Sequence, residues 1–144
     1  MKVVEAMDRD VAVVDVAASV AEAARIMRDK LKGCVIVLGK GKPVGILTER
    51  DVTYKTAAEG IDPDEITAES VMSTPLISVD PEADLIEASK LMCEHQIRRL
   101  VVTGHDILYG ILSAIDIARH LEGYVEGEVQ KIIRGAFFLS TGFR

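Results

Sequence analysis

Tryptophan is missing from this 144-residue chain, and three tyrosines and three phenylalanines bring the aromatic share to only 4%. A planar ligand would therefore be gripped by aliphatic walls and backbone groups, with little ring stacking. Cysteine occurs twice, at Cys34 and Cys93, without CxxC spacing or a nearby histidine to complete a metal set. Both read as small core residues in a predicted strand and helix, in keeping with a reducing compartment. The three histidines, His95, His105 and His120, stand far apart and suit surface or capping roles, so no metal is expected. No apolar run reaches the roughly 18 residues that cross a bilayer, and Met1-Lys2-Val3-Val4-Glu5 is too acidic for a secretory leader. The expectation is a cytoplasmic protein that does not engage membranes. Basic residues are outnumbered, 17 Lys and Arg against 23 Asp and Glu, and a net charge of −6 supplies no dense positive field for nucleic acid. Neither a nucleophile with its base nor a phosphate-binding P-loop is found, so no enzyme is expected.

What the chain does contain is apolar residue, 49% of the total, enough for a core. It also contains itself twice. Slid by about 65 positions, the sequence matches its own second half without a gap over about 45 positions. Met7 falls on Met72, Val14-Asp15 on Val79-Asp80, Glu22-Ala23 on Glu87-Ala88, and Met27 on Met92. Gly45-Ile46-Leu47 falls on Gly110-Ile111-Leu112, and Asp51 on Asp116.

Each copy predicts the same elements. A short apolar segment (Val11 to Val14; Leu76 to Val79) precedes a helix whose start is marked by Ser19 with Glu22, and by Asp84 with Glu87, as an N-terminal capping box. Val20, Ala23, Ala24 and Met27, and then Leu85, Ala88, Leu91 and Met92, recur at helical spacing and give one buried face. Two β-branched runs follow, Cys34 to Leu38 and Val44 to Thr48 around the turn Gly39 to Pro43; in the second copy they are Leu100 to Thr103 and Leu108 to Ser113 around Gly104-His105-Asp106. A second helix begins near Glu49 and near Ala114. The fold expected is α+β, two β-α-β-β-α repeats packed about a pseudo-twofold axis through their sheets. Domains are expected at 1–60 and 71–121, with a linker at 61–70 and a helical extension and tail at 122–144; the acidic Asp62-Pro63-Asp64-Glu65 reads as solvated linker with a helix-start signal.

The third strand ends alike in both copies, as Gly45-Ile46-Leu47-Thr48-Glu49-Arg50-Asp51 and Gly110-Ile111-Leu112-Ser113-Ala114-Ile115-Asp116. The hydroxyl at the N-cap and the Asp three positions on lie together on the first turn of the helix. Amides at the positive end of the helix dipole attract phosphate, and an Asp can accept two hydrogen bonds from a vicinal diol such as that of ribose. A simple capping box accounts for one such pair. Two pairs in one register point further, to a nucleotide.

With those motifs in hand, residues 7 to about 121 resemble the CBS-domain family, in which two repeats form a Bateman module with two clefts. The resemblance implies a non-catalytic regulatory module for AMP, ADP, ATP or S-adenosylmethionine, a homodimer, and a separate protein target that it does not identify. Carried over by position, one cleft would take Asp116 for ribose, Ser113 and Arg99 for phosphate, and Ala18, Ala23, Lys32 and Gly33 as its adenine wall. The other would take Thr48 and Asp51, with Arg50 for phosphate and Ala83, Ala88, Ile97 and Arg98 as wall. The position matching Arg99 is Cys34, which makes the Asp51 cleft the poorer phosphate site, empty or suited to a less negative adenosyl ligand. The competing reading is an adaptor with degenerate clefts acting on a partner protein, against which the retention of both hydroxyl-Asp pairs argues.

Overall fold

The alternation of short β-branched runs with amphipathic helical stretches is realised twice in the computed structural model, which describes residues 1–121 and Arg134. In the first copy β1 (Val13–Asp15), α2 (Val20–Lys30), β2 (Cys34–Gly39) and β3 (Lys42–Thr48) lead into α3 (Glu49–Val52). In the second, β4 (Ser78–Val79), α5 (Leu85–His95), β5 (Arg99–Gly104) and β6 (Ile107–Ser113) lead into α6 (Ala114–Leu121). Each sheet is three-stranded: β1 runs parallel to β2 and β2 antiparallel to β3, and β4, β5 and β6 repeat the order. The parallel pair needs a long crossover, which the helix supplies; the antiparallel pair needs only a two-residue turn. Those turns are Lys40-Gly41 and His105-Asp106, all four with positive φ, the geometry that follows the twist of the strands they join. The expected turn at Gly39 to Pro43 is thus shorter, and Pro43 lies in β3 where the register shifts between Val37 and Leu38. Apart from Arg134, the expected helix and tail at 122–144 lie outside the described residues.

Two short helices were not expected from the sequence, α1 (Val3–Ala6) and α4 (Ala68–Val71), and they occupy matching positions in the repeat. They belong, however, to the opposite copies. The described residues divide into one unit of Met1–Arg9 with Ile77 onward, and another of Asp10–Leu76. Within the first unit Val3, Ala6 and Met7 join Val79, Leu85, Ala88, Met92, Leu100 and Leu112 in one core. Within the second, Ala68 and Val71, from in and beside the expected linker, join Val14, Val20, Ala23, Met27, Val35 and Leu47.

The residues after these helices also cover a sheet edge. Ser73 exchanges backbone hydrogen bonds with Ile46 on β3 (2.8 and 3.2 Å), and Asp8 does so with Ile111 on β6 (2.8 and 3.0 Å). This close approach explains the repeated glycine. A Cβ at Gly110 would stand 2.5 Å from the Asp8 carbonyl oxygen, and one at Gly45 would run into the Met72 side chain.

The helix caps agree with the sequence in residue and differ in detail. Ser19 Oγ accepts from the Glu22 amide at 3.0 Å, whereas the Asp84 carboxylate accepts from the Ile86 amide at 2.8 Å, one residue short of Glu87. Both caps satisfy a first-turn donor, and the Asp side chain reaches the nearer one. Both helices end on a left-handed residue, Leu31 (φ 55°) and Gln96 (φ 53°). Met27 and Met92 are buried as expected. Of the cysteines, Cys34 is buried in β2, but Cys93 is exposed: it lies on the solvent side of α5, one residue past the buried Met92.

Candidate functional site

The two hydroxyl-Asp pairs are built alike by their strand-to-helix turns. Thr48 and Ser113 close β3 and β6 and cap α3 and α6. In the unit Asp10–Leu76, the Thr48 amide donates to Asp51 Oδ2 at 2.9 Å and the Asp51 amide returns a bond to Thr48 Oγ1 at 3.2 Å. In the other, the Ser113 amide donates to Asp116 Oδ2 at 2.9 Å and the Asp116 amide to Ser113 Oγ at 3.1 Å. The capping box is therefore present in both.

It also corrects the picture of open first-turn amides. The Glu49 amide donates to the Gly33 carbonyl at 3.1 Å and the Ala114 amide to the Arg98 carbonyl at 2.8 Å, so two amides of each first turn are already used. The same bonds hold Gly33 beside Thr48 and Arg98 beside Ser113, each within its own unit.

The carboxylates differ more than their backbones. Asp51 is 7% exposed in its side chain and is filled on both oxygens: Oδ2 also accepts from Thr48 Oγ1 at 3.1 Å, while Oδ1 takes Lys55 Nζ at 3.0 Å and, at a long 3.5 Å, Ser73 Oγ. Asp116 is 16% exposed, and its Oδ1 faces the Arg119 guanidinium at 3.9 Å. His120, which matches Lys55 in the repeat, turns to the backbone instead, with Nδ1 2.9 Å from the Asp116 carbonyl oxygen. Lys55 and Ser73 were not singled out from the sequence, although a Lys four residues after an Asp on a helix is a recognisable pairing.

Strand register sets the basic residue of the site. Arg99 pairs with Ser113 across β5 and β6, and directly opposite residues share a face, so the guanidinium and the hydroxyl start from neighbouring positions. The corresponding pair is Cys34 with Thr48. Arg98 and Arg99 are both half-buried. Arg50 lies over the Tyr54 ring, 5.7 Å from its centre, a cation–π arrangement that engages the guanidinium.

The expected wall residues sit in their own units as follows. Ala23 and Ala88 are fully buried in the two cores, Ile97 is buried beside Ala88, and Ala18, Gly33 and Ala83 are half-buried. Lys32 lies 3.7 Å from Asp10. A groove of about 550 Å³ runs between α2 and α3, lined by Ala24, Met27, Lys32, Gly33 and Val52 among others, but neither Thr48 nor Asp51 lines it. Among the described residues no cluster of His, Cys, Asp or Glu could hold a metal ion, and no helix is long and apolar enough to cross a membrane.

Comparison with known proteins agrees with this architecture. The family model of the CBS domain matches residues 3–57 and again residues 68–123. The chain is 39% identical over 114 residues to the CBS domain-containing protein YhcV of Bacillus subtilis, covering 79% of this chain and 81% of that one. It is 35% identical over 120 residues to Hypoxic response protein 1 of Mycobacterium tuberculosis, covering 83% and 84%. A crystal structure of Hypoxic Response Protein I with two coordinated zinc ions superposes with a TM-score of 0.76 at 34% identity, covering 84% of this chain and 99% of that one. With inosine-5'-monophosphate dehydrogenase of Helicobacter pylori the match, 32% identical and covering 69% of this chain, takes in only 20% of the enzyme. Two tandem units of one topology, each closed by the same strand-to-helix turn and each matched by the family model, make this chain a member of the CBS-domain family, carrying a CBS pair.

Proposed function

We propose that this CBS pair is a non-catalytic regulatory module that binds an adenosine nucleotide through Asp116, Ser113 and Arg99. The observation that carries the reading is the cross-strand pairing of Arg99 with Ser113, one turn from a carboxylate that is more exposed than its counterpart Asp51, 16% against 7%. In this reading Asp116 Oδ1 accepts from the ribose hydroxyls, and Ser113 with the Arg99 guanidinium takes the phosphate through charge-assisted hydrogen bonds. Ala18, Ala23, Lys32 and Gly33 are the proposed adenine wall. Ala23 is buried in its core, so its contribution would be to shape the wall rather than to touch the base. The second cleft, with Thr48, Asp51, Arg50 and a wall of Ala83, Ala88, Ile97 and Arg98, is proposed as the weaker. Family resemblance further supports a homodimer.

Calorimetric titration with AMP, ADP, ATP and S-adenosylmethionine tests the reading. The wild-type chain binds at least one phosphorylated adenosine with a Kd well below millimolar, and Asp116→Ala weakens it tenfold or more. If none of the four binds tighter than millimolar, the adaptor reading replaces this one. If Asp51→Ala abolishes AMP binding and Asp116→Ala leaves it intact, the assignment of the site is reversed.

A further inference from the structure

The two repeats carry the same hydroxyl-Asp turn, yet among the described residues only the Asp51 carboxylate has a cation at hydrogen-bonding distance, Lys55 Nζ at 3.0 Å, whereas the Arg119 guanidinium stands 3.9 Å from Asp116. An ionised carboxylate offers about four acceptor positions. At Asp51 three are taken at ordinary distances, by the Thr48 amide (2.9 Å), Thr48 Oγ1 (3.1 Å) and Lys55 Nζ (3.0 Å), and the Ser73 hydroxyl stands at the fourth at 3.5 Å. Lys55 is held there from a second side, since Nζ also donates to the Val71 carbonyl oxygen at 2.8 Å. That carbonyl ends α4, and Ser73 follows two residues later, so the segment 68–73 supplies one partner to the lysine and another to the carboxylate. The chain is well suited to place Nζ there: a π-helical turn, Thr53–Ala57, follows α3 directly and carries Lys55.

Among the described residues no ammonium stands on Asp116 as Lys55 does on Asp51. The matching residue, His120, points its Nδ1 at the backbone carbonyl of Asp116, and Arg119 approaches Oδ1 no closer than 3.9 Å. A diol arriving at Asp51 would have to displace an ammonium making two hydrogen bonds, whereas at Asp116 it competes with a guanidinium 3.9 Å away on a carboxylate that is 16% exposed against 7% at Asp51.

We propose that Lys55 is an internal ligand of Asp51 that occupies the acceptor positions a ribose diol would use, closing the first-repeat site and leaving the chain with one nucleotide site in place of two. This rests on the reading of Asp116 as the ribose acceptor given above. It assigns the difference between the repeats to an ion pair and not only to the exchange of Arg99 for Cys34.

The test is the stoichiometry of AMP and adenosine binding by calorimetry in the wild type, Asp116→Asn, Lys55→Met and the Lys55→Met/Asp116→Asn double variant. One site is expected in the wild type, none in Asp116→Asn, two in Lys55→Met and one in the double variant. Lys55→Arg, which keeps a cation on the carboxylate, should bind as the wild type does. Lys55→Gln keeps a donor for the Val71 carbonyl and serves if the methionine variant melts early by circular dichroism. Two results overturn the proposal: no added site in any folded Lys55 variant, or binding in Asp116→Asn that is lost on adding Asp51→Asn while Lys55 is present. The second arm needs no Lys55 substitution, so the proposal is tested even if those variants unfold. A wild type that binds nothing while Lys55→Met gains a site would remove the Asp116 reading and leave this one standing; a single Asp116-dependent site that Lys55→Met does not double does the reverse.

Discussion

Arg99 and Cys34 occupy the same register position, each opposite the hydroxyl that ends the third strand, and in the proposed function this exchange makes the Asp116 cleft the better phosphate site. Removing a charge-assisted hydrogen bond costs about 1.5–3 kcal/mol, which is roughly tenfold to a hundredfold in affinity. Arg99→Met is therefore expected to weaken AMP binding by that factor and to leave adenosine binding nearly unchanged, as read by calorimetry with both ligands. The repeated glycines make a second contrast. Gly110→Ala drives a Cβ against the Asp8 backbone, which cannot yield, and should cost about 1–3 kcal/mol by urea unfolding. At Gly45→Ala the nearest atoms belong to the Met72 side chain, the sulfur first, and a flexible thioether yields more readily than backbone, so its cost should be the smaller. At this scale the sequence was legible wherever a residue acts on near neighbours in the chain, as Thr48 and Asp51 do. Ser73, which reaches Asp51 from 22 positions away, left no local trace.

Elements were legible in proportion to their length. An eleven-residue helix such as α2 shows three turns of apolar recurrence, whereas α1 and α4 have four residues each, one turn, too few for a period to be seen. So Ala68 and Val71, in and beside a stretch that reads as linker by its acids and proline, turned out to be core. The caps carry a prediction of their own. Leu31 ends α2 in the left-handed region with 91% of its surface exposed, so its side chain packs against little and its backbone is strained. Leu31→Gly should relieve that strain at little packing cost, less the extra freedom glycine gives the unfolded chain, for a gain of about 0.5 kcal/mol. A thermal melt should show the midpoint rising by about 1–2 °C.

For the molecule as a whole, the repeat seen in the sequence and the units seen in the structure share a period but not a phase. Self-similarity reports only that two stretches are alike; it does not say which stretch completes which core, because Met7 and Met72 look the same wherever they pack. The contacts decide it: Met7 lies by Gly110, and Met72 by Gly45. Division by the repeat, as 1–65, would thus discard Ala68, Val71 and the Ser73 bridge, while division as 10–76 keeps them. The 10–76 fragment is expected to show a cooperative urea transition by circular dichroism and the 1–65 fragment none. The same phase shift bears on how the chain is made. Synthesis proceeds at about 5–20 residues per second, and domains tend to fold as they emerge. Asp10–Leu76 can assemble as soon as it has left the ribosome, but Val3, Ala6 and Met7 must wait for a core that includes Leu112, Ala114 and Ile117, more than a hundred residues behind them, roughly 5–20 seconds at those rates. Val3, Ala6 and Met7 are thus made long before the core that houses them, and for that interval the nascent chain carries uncovered apolar side chains that a chaperone or another copy could seize.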